Sequence, residues 1–112
     1  MPISVLLRCT DLEETKAFYA EILDFEVADG PEQTCTVKKA GASVIFTDQD
    51  LWGGAPGCTG TIYIFLPDVD TYYASVSDRA IVRWPLEDMP YGLREFGVKD
   101  CNGYTVAFAK RI

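Results

Sequence analysis

Hydrophobic and polar positions along the chain fall into one pattern written twice. The run Val5-Leu6-Leu7-Arg8-Cys9-Thr10-Asp11-Leu12-Glu13 lines up with Ile62-Tyr63-Ile64-Phe65-Leu66-Pro67-Asp68-Val69-Asp70, Asp11 opposite Asp68. Each copy begins as an apolar strand and changes to helical spacing at an aspartate. Leu12, Phe18, Tyr19, Ile22 and Leu23 form the buried stripe of the first helix; Val69, Tyr72, Tyr73 and Val76 form that of the second. Asp11 or Thr10 offers an N-cap oxygen, with Glu14 or Glu13 as capping-box partner, and Asp68 behind Pro67 caps the second copy.

A further match joins Ala40-Gly41-Ala42-Ser43-Val44-Ile45-Phe46 to Asn102-Gly103-Tyr104-Thr105-Val106-Ala107-Phe108. The spacing has grown from 11→68 to 41→103, so the second copy carries five extra residues, expected between its helix and its last hairpin. Gly41 and Asn102-Gly103 have hairpin-turn chemistry, since Gly and Asn accept positive φ at little cost. The pattern predicts strand, helix, then three strands in each half: residues 25–28, 34–39 and 42–47 in the first, 81–83, 94–99 and 104–109 in the second. The fold class is therefore α+β, one domain over 1–112 made of two βαβββ modules at 1–47 and 61–112. The linker 48–60 is Gly-rich, contains Pro56, centres on Trp52 and has the composition of a lid.

Two stretches are specific enough to suggest a family: Asp11-Leu12-Glu13 through Phe18-Tyr19 to Leu23-Asp24-Phe25, and Tyr91-Gly92-Leu93-Arg94-Glu95-Phe96 into Val98-Lys99-Asp100-Cys101-Asn102-Gly103. With the duplication, the chain resembles the vicinal oxygen chelate superfamily, which includes glyoxalase I, extradiol dioxygenases and bleomycin-binding resistance proteins. The second stretch is most similar to the bleomycin-resistance branch. The resemblance covers nearly the whole chain. It implies curved mixed sheets enclosing a cleft, commonly completed by a second chain in a homodimer. It also implies metal ligands on the first and last strands of each module, positions that fall on Ser4, Ile45, Thr61 and Ala107. None of these is His, Asp, Glu or Cys, and a divalent metal needs about three such donors from the protein. The chain contains 0 His, which removes both a 2-His-1-carboxylate iron site and a histidine general base. The expectation is no metal and no cofactor.

Composition narrows the partners. A hydrophobic content of 48% is enough to build one core. Acidic residues outnumber basic ones 17 to 10, and a net charge of −7 opposes nucleic-acid binding. It would favour a cationic small molecule, although solubility alone accounts for such a charge. Cys9, Cys35, Cys58 and Cys101 form no CxxC pair, so free thiols are expected. The start MPISVLLRCTDLEE lacks the layout of a signal peptide, and no apolar run approaches a membrane span. A cytoplasmic protein without a membrane partner is expected.

Strand alternation assigns the cleft. Ser4, Leu6 and Arg8 face it while Val5, Leu7 and Cys9 pack under the helix; Thr61, Tyr63 and Phe65 face it while Ile62, Ile64 and Leu66 are core. Ser43, Ile45, Thr47, Thr105 and Ala107 join the lining, and burying Phe96 and Val98 turns Glu95 inward. Arg8 and Glu95 are the charges expected there. They could pair with each other, Arg8 could snorkel to solvent, or Glu95 could hold a ligand cation and Arg8 a ligand carboxylate or phosphate. Trp52, Trp84 and Tyr91 could stack on a planar ligand or pack under loops and at a dimer contact. Tyr63 is a wall residue, or a general acid if a cation stands beside it. The candidate ligand-binding set is thus Arg8, Trp52, Tyr63, Phe65, Trp84, Tyr91 and Glu95, for a small-molecule ligand. The function expected from the resemblance is a metal-free binding protein for a cationic or aromatic compound such as an antibiotic. The alternatives are a lyase, isomerase or dioxygenase-like enzyme using the same cleft, and a scaffold without a ligand.

Overall fold

The duplication becomes two four-stranded mixed sheets, each backed by one helix, in a computed structural model that describes residues 4–112. Met1, Pro2 and Ile3, the first residues of the segment read for a signal peptide, lie outside the described residues. The chain divides into two compact units, one ending at Cys58 and one beginning at Thr59.

In the first unit the elements are β1 (Val5–Arg8), α1 (Leu12–Ala17), β2 (Glu26–Gly30), β3 (Thr34–Lys39) and β4 (Ala42–Thr47), in sheet order β1-β4-β3-β2. β1 runs parallel to β4, and the remaining pairs are antiparallel. Asp11 caps α1, its carboxylate accepting from the Glu14 N–H at 3.0 Å. The predicted stripe continues past α1 into a π-helical turn over Phe18–Ile22, closed by Leu23 N–H to the Phe18 carbonyl at 3.3 Å. Tyr19, Leu23, Phe25, Cys35, Val37 and Phe46 are buried beneath it, with Tyr19 in edge contact with Phe25 at 5.1 Å. The β3–β4 hairpin turns through Ala40 at φ 50° and Gly41 at φ 84°, the paired left-handed conformation of a tight hairpin.

The second unit repeats the plan with β5 (Thr61–Phe65), α2 (Val69–Val76), β6 (Ile81–Asp88), β7 (Leu93–Lys99) and β8 (Thr105–Arg111), in sheet order β5-β8-β7-β6. Asp68 caps α2 through the Thr71 N–H at 3.1 Å. Val69, Tyr72 and Val76 are buried against Phe96, Val98, Val106 and Phe108, and Tyr72 meets Phe108 edge-on at 4.8 Å.

β6 differs from the expectation. It runs eight residues rather than ending at 83, and its pairing with β7 slips once between Val82 and Trp84 and again between Trp84 and Glu87. Each slip is an extra residue on β6, so part of the five-residue excess of the second copy is absorbed as bulges. Pro85 does not stop the strand because β6 is a sheet edge, where a missing N–H breaks no ladder.

Candidate functional site

Two rows of register partners cross the inner face of the second sheet. One runs Tyr63, Ala107, Gly97, Trp84; the next runs Phe65, Ala109, Glu95, Glu87. Adjacent strands lie about 4.8 Å apart, so β5 and β7 are separated by about 10 Å across β8. Side chains from those two strands meet only if β8 presents little between them. It presents two buried methyl groups, Ala107 and Ala109.

Tyr63 reaches over that gap and donates its hydroxyl to the Glu95 carboxylate, 3.2 Å from Oε1 and 3.1 Å from Oε2. Tyr91, from the turn before β7, donates to Oε1 at 2.6 Å, and its hydroxyl lies 3.4 Å from that of Tyr63. The Trp84 indole N–H donates to Oε2 at 3.0 Å. Glu95 itself is 1% exposed. A carboxylate withdrawn from water needs such donors, because an unpaired buried charge is far more costly than an unpaired polar group. Tyr91 registers the anion: its hydrogen bond to Glu95, and secondarily the one to Tyr63, raise the phenol above its ordinary 10.0.

Trp84 is held in place by an absence of side chain. A Cβ on Gly97 would stand 2.5 Å from two indole carbons, so the ring lies flat against the strand only because residue 97 is glycine. The first β6 slip brings Trp84 opposite Gly97. The strand carrying Glu95 is braced on its other side by Arg94, which bonds Asp70 of α2 at 2.8 and 3.2 Å and Asp88 of β6 at 2.9 Å. That pairing holds the Asp70 carboxyl below its usual range.

The aromatic rims remain open. Tyr63 is 39% exposed, Phe65 43% and Tyr91 59%; Tyr63 and Phe65 lie near-parallel, 25° apart with centroids at 6.3 Å. Arg111 from the end of β8 stands over the Phe65 ring at 5.0 Å. The structure thus brings together Tyr63, Phe65, Trp84, Tyr91 and Glu95 of the candidate set.

Arg8 and Trp52 belong to the first unit. Arg8 donates to the Gly54 carbonyl and stands 3.8 Å from Asp50, whose carboxylate accepts from the Gly53 and Gly54 N–H groups at 2.7 and 3.0 Å. Those two backbone donors hold the Asp50 carboxyl below its usual range. Arg8 therefore ties a closed turn to β1, and Trp52 projects from that turn, 54% exposed. Next to it the inner face of the first sheet carries a cavity of about 400 Å³ lined by Leu6, Thr36, Ile45, Thr47, Leu51 and Pro31 among others. A larger open depression, about 630 Å³, lies at the β3–β4 hairpin among Glu26, Lys38 and Lys39 and gathers no convergent chemistry.

The model of the glyoxalase/bleomycin resistance protein/dioxygenase superfamily matches residues 3–108. The chain belongs to that superfamily. No curated protein matches it in sequence. Among solved structures it is similar to TioX from Micromonospora sp. ML1, with a TM-score of 0.80, 20% identity and 100% of this chain covering 99% of that one. A superfamily member from Sphaerobacter thermophilus DSM 20745 gives a TM-score of 0.76, 24% identity and coverage of 99% and 97%. One from Alicyclobacillus acidocaldarius gives 0.79, 17% and coverage of 100% and 92%. At these identities the likeness establishes the fold.

The superfamily's metal can be tested against the side chains present. Ile45 sits in the wall of the first cavity, Ala107 is a buried methyl, and Ser4 and Thr61 are exposed hydroxyl residues. Among the described residues no three His, Cys, Asp or Glu side chains gather as a metal would require. These donors do not fit a divalent ion.

The sequence pointed to Glu95, its aromatic neighbours and Ala107, but not to Gly97 and Ala109, which also let them meet. Gly97 inside an apolar strand was the available signal, since glycine there marks a close approach. Ala109 carried none.

Proposed function

We propose that this superfamily member is a metal-free small-molecule-binding protein whose ligand is an organic cation with aromatic character, seated on Tyr63 and Tyr91 in front of Glu95. The carrying observation is the buried carboxylate framed by three aromatic donors, two of which, Tyr63 and Tyr91, stay exposed. An apolar residue at 95 would serve the sheet without the desolvation penalty, so retaining an anion there points to a use for its charge. In a low-dielectric frame the carboxylate attracts a cation at the rim more strongly than a solvated one would, and open aromatic faces add cation–π attraction. The net charge of −7 steers a cation in the same direction.

Binding is favoured over acid–base turnover by the same contacts. The Glu95 oxygens already accept from Tyr63, Trp84 and Tyr91, which leaves them poorly placed to take a substrate proton, and the raised Tyr91 phenol is a poor proton donor. The superfamily's homodimer and a cytoplasmic setting belong to this proposal, and sedimentation of the purified protein checks the dimer.

Thermal-shift screening with aromatic cations and neutral analogues tests the ligand class, because a ligand of the native state raises apparent stability by mass action. Cations should raise the melting temperature of the wild type and not that of Glu95→Gln. Equal shifts in both, or none with any cation, would overturn the proposal. Stoichiometric zinc, nickel, manganese or iron in purified protein would overturn its metal-free part.

A further inference from the structure

We infer that the Glu95 site selects cations that carry no hydrogen-bond donors, quaternary ammonium or N-alkylated heteroaromatic groups, over primary ammonium and guanidinium groups. This rests on the cation-binding function proposed above and specifies its ligand class. A carboxylate offers about four lone-pair positions. At Glu95 three donors, the Tyr63 and Tyr91 hydroxyls and the Trp84 indole N–H, already occupy most of these positions at 2.6 to 3.2 Å, with the single Tyr63 proton shared between the two oxygens. The carboxylate is 1% exposed, so those donors also stand between it and solvent. An incoming cation meets the charge without meeting the oxygens.

What the site turns outward is ring surface, on Tyr63, Phe65 and Tyr91. A primary ammonium gives up strongly held water at such a surface and regains few hydrogen bonds for its three N–H groups. A quaternary ammonium has no N–H to satisfy, loses little hydration, and spreads its charge over methyl groups that pack on aromatic faces. Arg111 occupies one face of Phe65 at 5.0 Å, which directs the ligand to the Tyr63 and Tyr91 rings. The network is also rigidly framed: Trp84 is fixed on Gly97, and Ala107 and Ala109 leave the bridge from Tyr63 unobstructed. While Trp84 stays seated, its indole N–H holds Oε2 within the frame, 3.0 Å away.

The test is calorimetric titration of the full chain with benzyltrimethylammonium, benzylammonium and benzyl alcohol. The quaternary probe should bind about tenfold more tightly than the primary one, the margin that its smaller dehydration cost at an aromatic surface supplies. Equal affinity, or a preference for benzylammonium, would overturn the selectivity and leave cation binding standing. Affinity for neither cation above that for benzyl alcohol would remove both. The exposed Tyr91 provides a second arm. Tyr91→Phe keeps the ring and frees one lone pair on Oε1, so the preference for the quaternary probe should shrink; an undiminished preference would show that occupation of the carboxylate by the protein's own donors is not its source.

Discussion

At Glu95 the desolvation of a carboxylate is offset by one indole N–H and two phenol O–H groups, and two of these donors reach it only where the strand they lie across presents a small residue. Tyr63 needs Ala107 and Ala109, and Trp84 needs Gly97. Gly97→Ala should therefore lift the indole and break the bond to Oε2, at a cost of about 1–3 kcal/mol for overpacking plus the lost bond. Trp fluorescence would move toward that of a solvated indole; unchanged emission and stability would contradict the seating of Trp84. Cys35 makes a different residue-scale prediction. Burial, reinforced by the charge of Cys9, pushes its thiol up to about 11 from 9.0. The folded chain thus holds a proton that the unfolded chain releases, so stability is intact below pH 9 and falls as pH rises toward 11. A Cys35→Ala variant should lose less stability over that interval. Iodoacetamide at pH 8 should label exposed Cys58 well before buried Cys9 and Cys35.

Among the elements, those with strong local signals follow the sequence closely. Asp11 caps α1 and Asp68 caps α2, β3 and β4 keep their predicted bounds, and Phe96 and Val98 are core as alternation requires. Asp11→Ala should lower stability by about 1 kcal/mol, read from denaturant midpoints. The tight β3–β4 turn places Ala40 in a left-handed conformation at φ 50°, which costs an alanine about 1 kcal/mol or more. Ala40→Asn should recover part of that, and a lower melting temperature would contradict the turn. β6 was not legible because its pairing is decided by partners rather than by its own pattern. Its two slips and its passage through Pro85 depend on the strand having one free edge, and they determine which of its side chains lies opposite Gly97. The same holds for the first helix, whose apolar spacing is right although its last turn is π rather than α. Arg8 shows the limit of alternation, because its bond to the Gly54 carbonyl depends on a turn 46 residues away.

For the whole molecule, the duplication and two motif stretches were enough to identify the superfamily, and the match over residues 3–108 bears that out. The absence of donors at Ser4, Ile45, Thr61 and Ala107 is likewise a sequence-level observation, to which the structure adds a reason for Ala107. A larger side chain there would obstruct the bridge from Tyr63 to Glu95. No helix among the described residues is long and apolar enough to cross a membrane. If the net charge of −7 contributes to ligand capture, cation binding should weaken with added salt through loss of long-range attraction, while the short-range contacts at Glu95 persist. The measurement that bears most directly on the central claim is titration of benzyltrimethylammonium into wild-type protein and into Glu95→Gln, with circular dichroism confirming that both are folded. Saturable binding to the wild type, weakened about tenfold or more in the variant, is the predicted result. Equal affinity in the two proteins would contradict the assignment of Glu95 as the anion that recognises a cationic ligand.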